Sequence, residues 1–220
     1  MTRQGGHWRR TLRSWPPPFC LRDRPSGTIR ITTVEHAAKT ILVPTLKRLL
    51  PDNPDINIEV TVDYGLVDVV ADRFDAGIRL GGEIAKDMIA VRIGPDIPMA
   101  IVGSPDYSRR HAMPTSPARL IDHRAINLRL PMRGGRETRV SVDGPLAFNN
   151  IDLIREAALD GHGLAYLPLD QVQHHLDEGQ LLRALNRFTP DLPGYHLYYP
   201  HRRHASTAFT LFVDAFRFRG

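Results

Sequence analysis

Between residues 28 and 62 two hydrophobic periods alternate in a fixed order. Thr28-Ile29-Arg30-Ile31-Thr32-Thr33-Val34 is β-branched and alternating, which reads as a strand. From His36 to Leu50 apolar residues recur at 38, 41, 42, 46, 49 and 50, the spacing of one helical face. Ile56-Asn57-Ile58-Glu59-Val60-Thr61-Val62 is a second alternating strand. Strand, helix, strand in that order implies parallel pairing through a right-handed crossover. Pro44 predicts a bend in the helix, because proline supplies no backbone donor. Pro51 and Pro54 close it.

The pattern continues with a short helix over Leu66 to Phe74 and strands at Ala76 to Leu80 and Met99 to Val102. A second series follows: helix Pro117 to His123, strand Ala125 to Leu130, helix Ile151 to Asp160 and strand Leu164 to Leu167. It goes on through helix Leu169 to Leu176 and strand Leu181 to Leu185. Asn150 reads as an N-cap, and Gly161 as the residue that ends the helix it starts. Strand Tyr195 to Tyr199 and helix Ser206 to Phe218 complete the chain. The fold class is therefore α/β: two lobes, each a mainly parallel sheet flanked by helices. A ligand crevice is expected between them, at the carboxyl ends of the strands.

The net charge of +5 does not belong to this body. Six of the 29 basic residues (Arg3, Arg9, Arg10, Arg13, Arg22 and Arg24) and one acid, Asp23, fall within residues 1–26. The rest holds 23 basic and 23 acidic side chains, so overall basicity is no argument for nucleic-acid binding by the body. Residues 1–26 read as a basic, disordered leader. It is either an arm touching phosphate or a bland extension, and Pro16-Pro17-Pro18 and the arginines interrupt any secretory apolar core. The single cysteine, Cys20, precludes an intrachain disulfide and suits a cytoplasmic protein. No run of 18 apolar residues predicts a membrane span.

Little in the sequence suggests an enzyme. His174-His175 and His201-Arg202-Arg203-His204 lack cysteine or carboxylate partners at zinc-ligand spacing, so no metal site is assigned. Gly161-His162-Gly163 precedes a strand and lacks a third glycine, and no Gly-x-Ser-x-Gly or Walker A run is present. Neither catalytic residues nor a cofactor are assigned.

Five segments in order resemble the effector-binding domain of LysR-type transcriptional regulators. They are Gly27-Thr28-Ile29-Arg30-Ile31, with its helix ending Leu49-Leu50-Pro51; Phe74-Asp75-Ala76-Gly77-Ile78-Arg79-Leu80-Gly81; and Val102-Gly103-Ser104-Pro105-Asp106-Tyr107. The fourth is Ala157-Ala158-Leu159-Asp160-Gly161-His162-Gly163-Leu164-Ala165-Tyr166-Leu167-Pro168, and the fifth Tyr195-His196-Leu197-Tyr198-Tyr199-Pro200 with a helix after it. The resemblance runs from about Gly27 to Arg217.

The resemblance implies a fold like type 2 periplasmic binding proteins. Lobe I would be about 27–101 plus 195–220 and lobe II about 104–193, with a hinge at Val102, Gly103 and Gly194. It implies an effector site at Val34, Glu35, His36, Tyr64, Gly81 and Gly82 in lobe I. Lobe II would contribute Ser104, Asn127, Arg129, Asn149, Asn150 and Ile151. Helices beginning near His36 and Asn150 would point unpaired N–H groups into the crevice and favour an anionic or polar small molecule. Arg129 could clamp a carboxylate or be a solvated strand-end charge, and His36 could cap its helix or face solvent.

Two departures from the family pattern stand out. Residues 1–26 show no winged helix-turn-helix, so DNA would be reached only through a head absent from this chain. Partners would then be a small-molecule effector and a second copy or a full-length regulator, with no membrane contact. Also, Arg136-Glu137-Thr138-Arg139 passes straight to Val140-Ser141-Val142-Asp143, so lobe II is expected to lack a strand. The expected function is effector sensing in transcription regulation. The alternative is a stand-alone solute-binding protein.

Overall fold

Two separate apolar cores divide the chain, and they meet between Met99 and Ala100, neighbours in sequence that belong to different cores. The computed structural model describes residues 24–65, 69, 71–81, 87–129, 143–201 and 206–219. Its strands are β1 (Gly27–Thr33), β2 (Ile56–Val62), β3 (Ala76–Leu80), β4 (Met88–Arg92) and β5 (Met99–Gly103). They continue as β6 (Ala125–Leu128), β7 (Leu146–Phe148), β8 (Leu164–Pro168), β9 (Leu182–Ala184) and β10 (Tyr195–Pro200). Helices are α1 (35–49), α2 (Pro105–Arg110), α3 (Ile151–Leu159), α4 (Gln173–Asp177) and α5 (Thr207–Phe216).

The first sheet has the order β2-β1-β3-β10-β4 and the second β7-β6-β8-β5-β9. The two-lobed α/β architecture stands, but each sheet is mixed rather than mainly parallel. In the first, β1 pairs in parallel with β2 and β3, while β10 runs antiparallel to β3 and β4. In the second, β6 pairs in parallel with β7 and β8, while β5 runs antiparallel to β8 and β9. The reason is topological. β5 and β10 are the strands that arrive from the other lobe, so each enters its sheet from the end opposite to its neighbours.

The predicted β1–α1–β2 unit forms with full register, from Gly27 opposite Ile56 to Thr33 opposite Val62. The bend expected from Pro44 takes a definite form. Residues Ala38–Leu42 are wound as a π-helix, and the Val43 N–H donates to the Ala38 carbonyl five residues back. The wider turn lies directly before the proline, where an α-helical ladder would otherwise need the missing N–H. Ile29, Ile31, Leu42, Ile78 and Leu197 fill this core with Phe209, Phe212 and Phe216 of α5. Ser206 caps α5 by accepting from the Phe209 N–H at 3.2 Å. The other core gathers Val102, Ile126, Ile154, Leu167 and Leu181 around α3.

The crossing between lobes differs from the expected hinge. Val102 and Gly103 lie inside β5, paired with Arg183 and Leu182 of β9, not between the sheets. The chain crosses instead through two antiparallel segments joined at Ile97 and Leu192, whose N–H and C=O groups exchange bonds of 2.8 and 2.9 Å. Gly194 does sit at the crossing: its N–H donates to Asp96 Oδ1 at 3.1 Å and its carbonyl accepts from Gly81 at 3.0 Å.

Other expectations change in detail. The helix over 66–74 is not seen: Val69 and residues 71–73 form turns, and 66–68 and 70 lie outside the described residues. Pro117–Asp122 and Leu169–Gln171 are 3-10 turns, with α4 following the second. β4, α2 and β7 were not anticipated. Residues 1–23 of the leader, and the segment expected to lack a strand up to residue 142, lie outside the described residues.

A Cβ on Gly194 would stand 2.4 Å from the Pro95 carbonyl oxygen and 2.5 Å from that of Gly94. Gly194→Ala must push backbone against backbone at the crossing. It should lose about 1–3 kcal/mol in a urea melt, as overpacking does. An unchanged midpoint would refute the close approach.

Candidate functional site

The carboxyl ends of β1, β2 and β3 deliver three short segments to one edge of the first sheet. The second lobe meets that edge with the start of α3 and the turn after β8. Among the described residues, three polar contacts span the gap.

Glu35 opens α1, a favourable place for an acid near helix N–H groups. Its Oε2 accepts from Asn150 Nδ2 at 2.9 Å, while Asn150 Oδ1 accepts from the Leu153 N–H at 3.0 Å. Asn150 is thus both the cap of α3 and a bridge between lobes. One turn along α1, Lys39 pairs with Glu35 at 2.8 Å and with Asp152 of α3 at 2.9 Å. The Lys39 ammonium holds the Asp152 carboxyl below the usual carboxylate range. His36 is buried rather than facing solvent. Its Nδ1 meets the Tyr195 hydroxyl at 3.0 Å and its Nε2 meets both oxygens of Asp170, at 3.0 and 2.9 Å. The hydrogen bond from His36 lowers the Asp170 pKa.

Two groups at this edge lack what burial normally demands. The Tyr64 hydroxyl is buried with no partner at full hydrogen-bond geometry among the described residues, the Glu35 backbone lying nearest to it. Desolvation, reinforced by Glu35 and Asp152, pushes its pKa up to about 12, so it stays a neutral phenol. The partly buried Arg79 guanidinium bonds only neutral oxygens: Ile78 O at 2.8 Å, Thr32 Oγ1 at 2.9 Å and Gly65 O at 3.4 Å. Burial lowers its pKa, Asp63 partly opposes this, and no carboxylate among the described residues pairs with it. A guanidinium withdrawn from water without a counter-ion is costly. An anion delivered to this edge would repay it.

The expected site residues divide accordingly. Glu35, His36, Tyr64, Asn150 and Ile151, the first residue of α3, come together at the crevice. Val34 precedes α1 and offers its carbonyl to Ala38 at 3.0 Å. Gly81 packs on β10, where a Cβ would stand 2.8 Å from the His196 ring. Asn127 lies in β6 opposite Ala147, Arg129 donates its backbone N–H to Phe148 at 2.7 Å, and Asn149 is exposed beside α3. Ser104 instead is buried as the cap of α2, accepting from the Tyr107 N–H at 3.2 Å. Gly82 lies outside the described residues.

Lys39, Arg79, Asp152, Asp170 and Tyr195 were not foreseen at the site. Arg79 had a signal, a charge within the apolar strand Ala76–Leu80. Asp170 had none, since a helix was expected there.

The family model for the LysR substrate binding domain matches residues 22–219. The chain is 64% identical over 210 residues to the HTH-type transcriptional regulator PgrR of Escherichia coli (strain K12), covering 91% of this chain and 70% of that one. It is 50% identical over 208 residues to a putative transcriptional regulator of Pseudomonas aeruginosa, covering 90% of this chain and 68% of that one. In fold it is similar to the regulatory domain of CrgA, a LysR-type transcriptional regulator from Neisseria meningitidis. The TM-score is 0.69, at 19% identity over 86% of this chain and 97% of that one.

Asp152 has a depressed pKa in the folded chain. Its contribution to stability is therefore present above the unfolded carboxylate value and lost as pH falls through the folded one. Asp152→Asn should lower the urea midpoint at neutral pH, and the gap to the parent should close in acid. A gap constant with pH would remove the ion pair from the account.

Proposed function

Because the chain belongs to the LysR substrate-binding domain family, we propose that it senses a small anionic effector held in the crevice between its two sheets. It is the effector-sensing domain of a transcription regulator. The observation that carries the finer reading is the Arg79 guanidinium, partly buried at the crevice edge and held, among the described residues, by neutral oxygens. An effector carboxylate or similar group would supply the missing charge. The orphaned Tyr64 hydroxyl would give it a second, directional contact.

The cross-lobe contacts suggest how binding is read out. Lys39 is half exposed and Asp170 about as much, so these pairs hold the lobes weakly. An effector that touches both lobes would favour the closed arrangement by its differential affinity for it. Assembly follows the same reading. Val43 on α1 and Val60 and Val62 on edge strand β2 are exposed, an apolar surface suited to a second copy or to a longer regulator. In such an assembly, DNA would be reached through another part of the regulator. The alternative of a stand-alone solute-binding protein finds no support in the matches. No described helix is long and apolar enough to cross a membrane.

The test is a thermal-shift screen of small organic acids beside their uncharged amides. An acid at about 100 times its Kd should stabilise by about 2.7 kcal/mol, several degrees in Tm. Arg79→Gln should remove that shift. Equal stabilisation by acid and amide, or a shift that survives Arg79→Gln, would overturn the anionic reading.

A further inference from the structure

The second lobe contains a cavity of about 230 Å³ that is not the crevice. It is lined by Tyr107, Arg110, His111, Arg124, Gly161 and His162, together with the start of β7. Arg110 and Arg124 bring positive charge and His111 and His162 imidazole rings, and no carboxylate is among the described lining residues. Asp106, on the adjoining helix, is paired with Arg109 instead.

The backbone around the cavity is fixed from several directions. Tyr107 is buried, and its hydroxyl accepts from the Arg124 N–H at 3.1 Å and meets His123 Nδ1 at 3.0 Å. The Arg124 carbonyl accepts from Leu164 at 2.8 Å. A Cβ on neighbouring Gly163 would lie 2.6 Å from that same carbonyl oxygen. Arg110 Nη2 donates to the Gly161 carbonyl at 2.8 Å, which sets its guanidinium at the end of α3. Gly161 has φ +76°, and a Cβ there would stand 3.0 Å from that Nη2. Arg124 is thus anchored at both backbone groups, while its guanidinium makes no hydrogen bond or ion pair among the described residues. His111 stacks near Tyr107, with ring centroids 5.0 Å apart.

A cup with a fixed backbone, rimmed by two exposed guanidiniums and two exposed imidazoles with no carboxylate among its described lining residues, is matched to a multiply charged oxyanion. Its volume lies below that of pockets for drug-sized ligands, roughly 300–1,000 Å³. We infer that this cavity is a second ligand site, in the lobe opposite Arg79, for a phosphate group, free or as a small phosphomonoester. Arg124 would supply the bidentate contact and Arg110 a second charge. The site is separate from the crevice, so the two ligands could act on one domain independently.

The experiment is calorimetric titration of the whole chain with inorganic phosphate, glycerol phosphate and succinate at constant ionic strength. Phosphate or its monoester should bind saturably, and which of the two binds tighter identifies the source. Arg124→Gln should weaken binding by about tenfold or more, with the melting temperature unchanged because the side chain has no partner to lose. Arg124→Lys should recover part of the affinity, and Arg79→Gln should leave it intact. Non-saturating heats, equal binding of succinate, or binding lost in Arg79→Gln but kept in Arg124→Gln would each overturn the assignment. The last outcome would place the anion in the crevice, so the two sites can fail separately.

Discussion

The backbone passes between the two lobes at one narrow place, the antiparallel pairing of Ile97 with Leu192 and the glycine beside it. Gly194 has no room for a methyl group because the backbone of Gly94 and Pro95 lies against it. Two chains held by a pair of peptide hydrogen bonds can twist more readily than they can separate. The connection therefore fixes the distance between the sheets and leaves their relative rotation to weaker forces. Those are the contacts at the crevice, which are polar, partly exposed and worth little singly. The lobes themselves rest on separate cores and need not deform when their relation changes.

The crevice is built from residues whose local structural roles force them there. Glu35 and Asp152 occupy first helical turns, where a negative charge is favoured whatever lies opposite. Asn150 must cap α3, and its spare amide group then reaches Glu35. Capping and bridging are the same geometry seen from two sides. Arg79 and Tyr64 are different, since no rule of local structure calls for them. A buried phenol without a well-formed hydrogen bond among the described residues and a guanidinium with neutral partners both oppose stability, which is why they mark the site.

Much of this was legible in the sequence, and the gaps have physical causes. The β1–α1–β2 unit, α3 with its Asn150 cap and Gly161 stop, and α5 announce themselves by period and by end signals. Direction was less legible. The composition of β5 and β10 is that of any buried strand, and nothing in Met99-Ala100-Ile101-Val102 tells which sheet it enters. That is why the crossing was expected at Val102 and Gly103 and lies before Met99. Resemblance led to Glu35, His36, Tyr64 and Asn150. It missed Asp170 and Tyr195, which meet at His36 across 25 residues of sequence and could be found only in three dimensions.

The first lobe is discontinuous: β10 and the phenylalanines of α5 come from the far end of the chain. On a ribosome this reverses the order of completion. Until β10 and α5 emerge, β3 lacks one of its two neighbours, and Ile29, Ile31 and Ile78 lack the phenylalanines that complete their core. The second lobe, made later but continuous, can close before them. β3 thus keeps one open edge until β10 is made, and α5 completes this core.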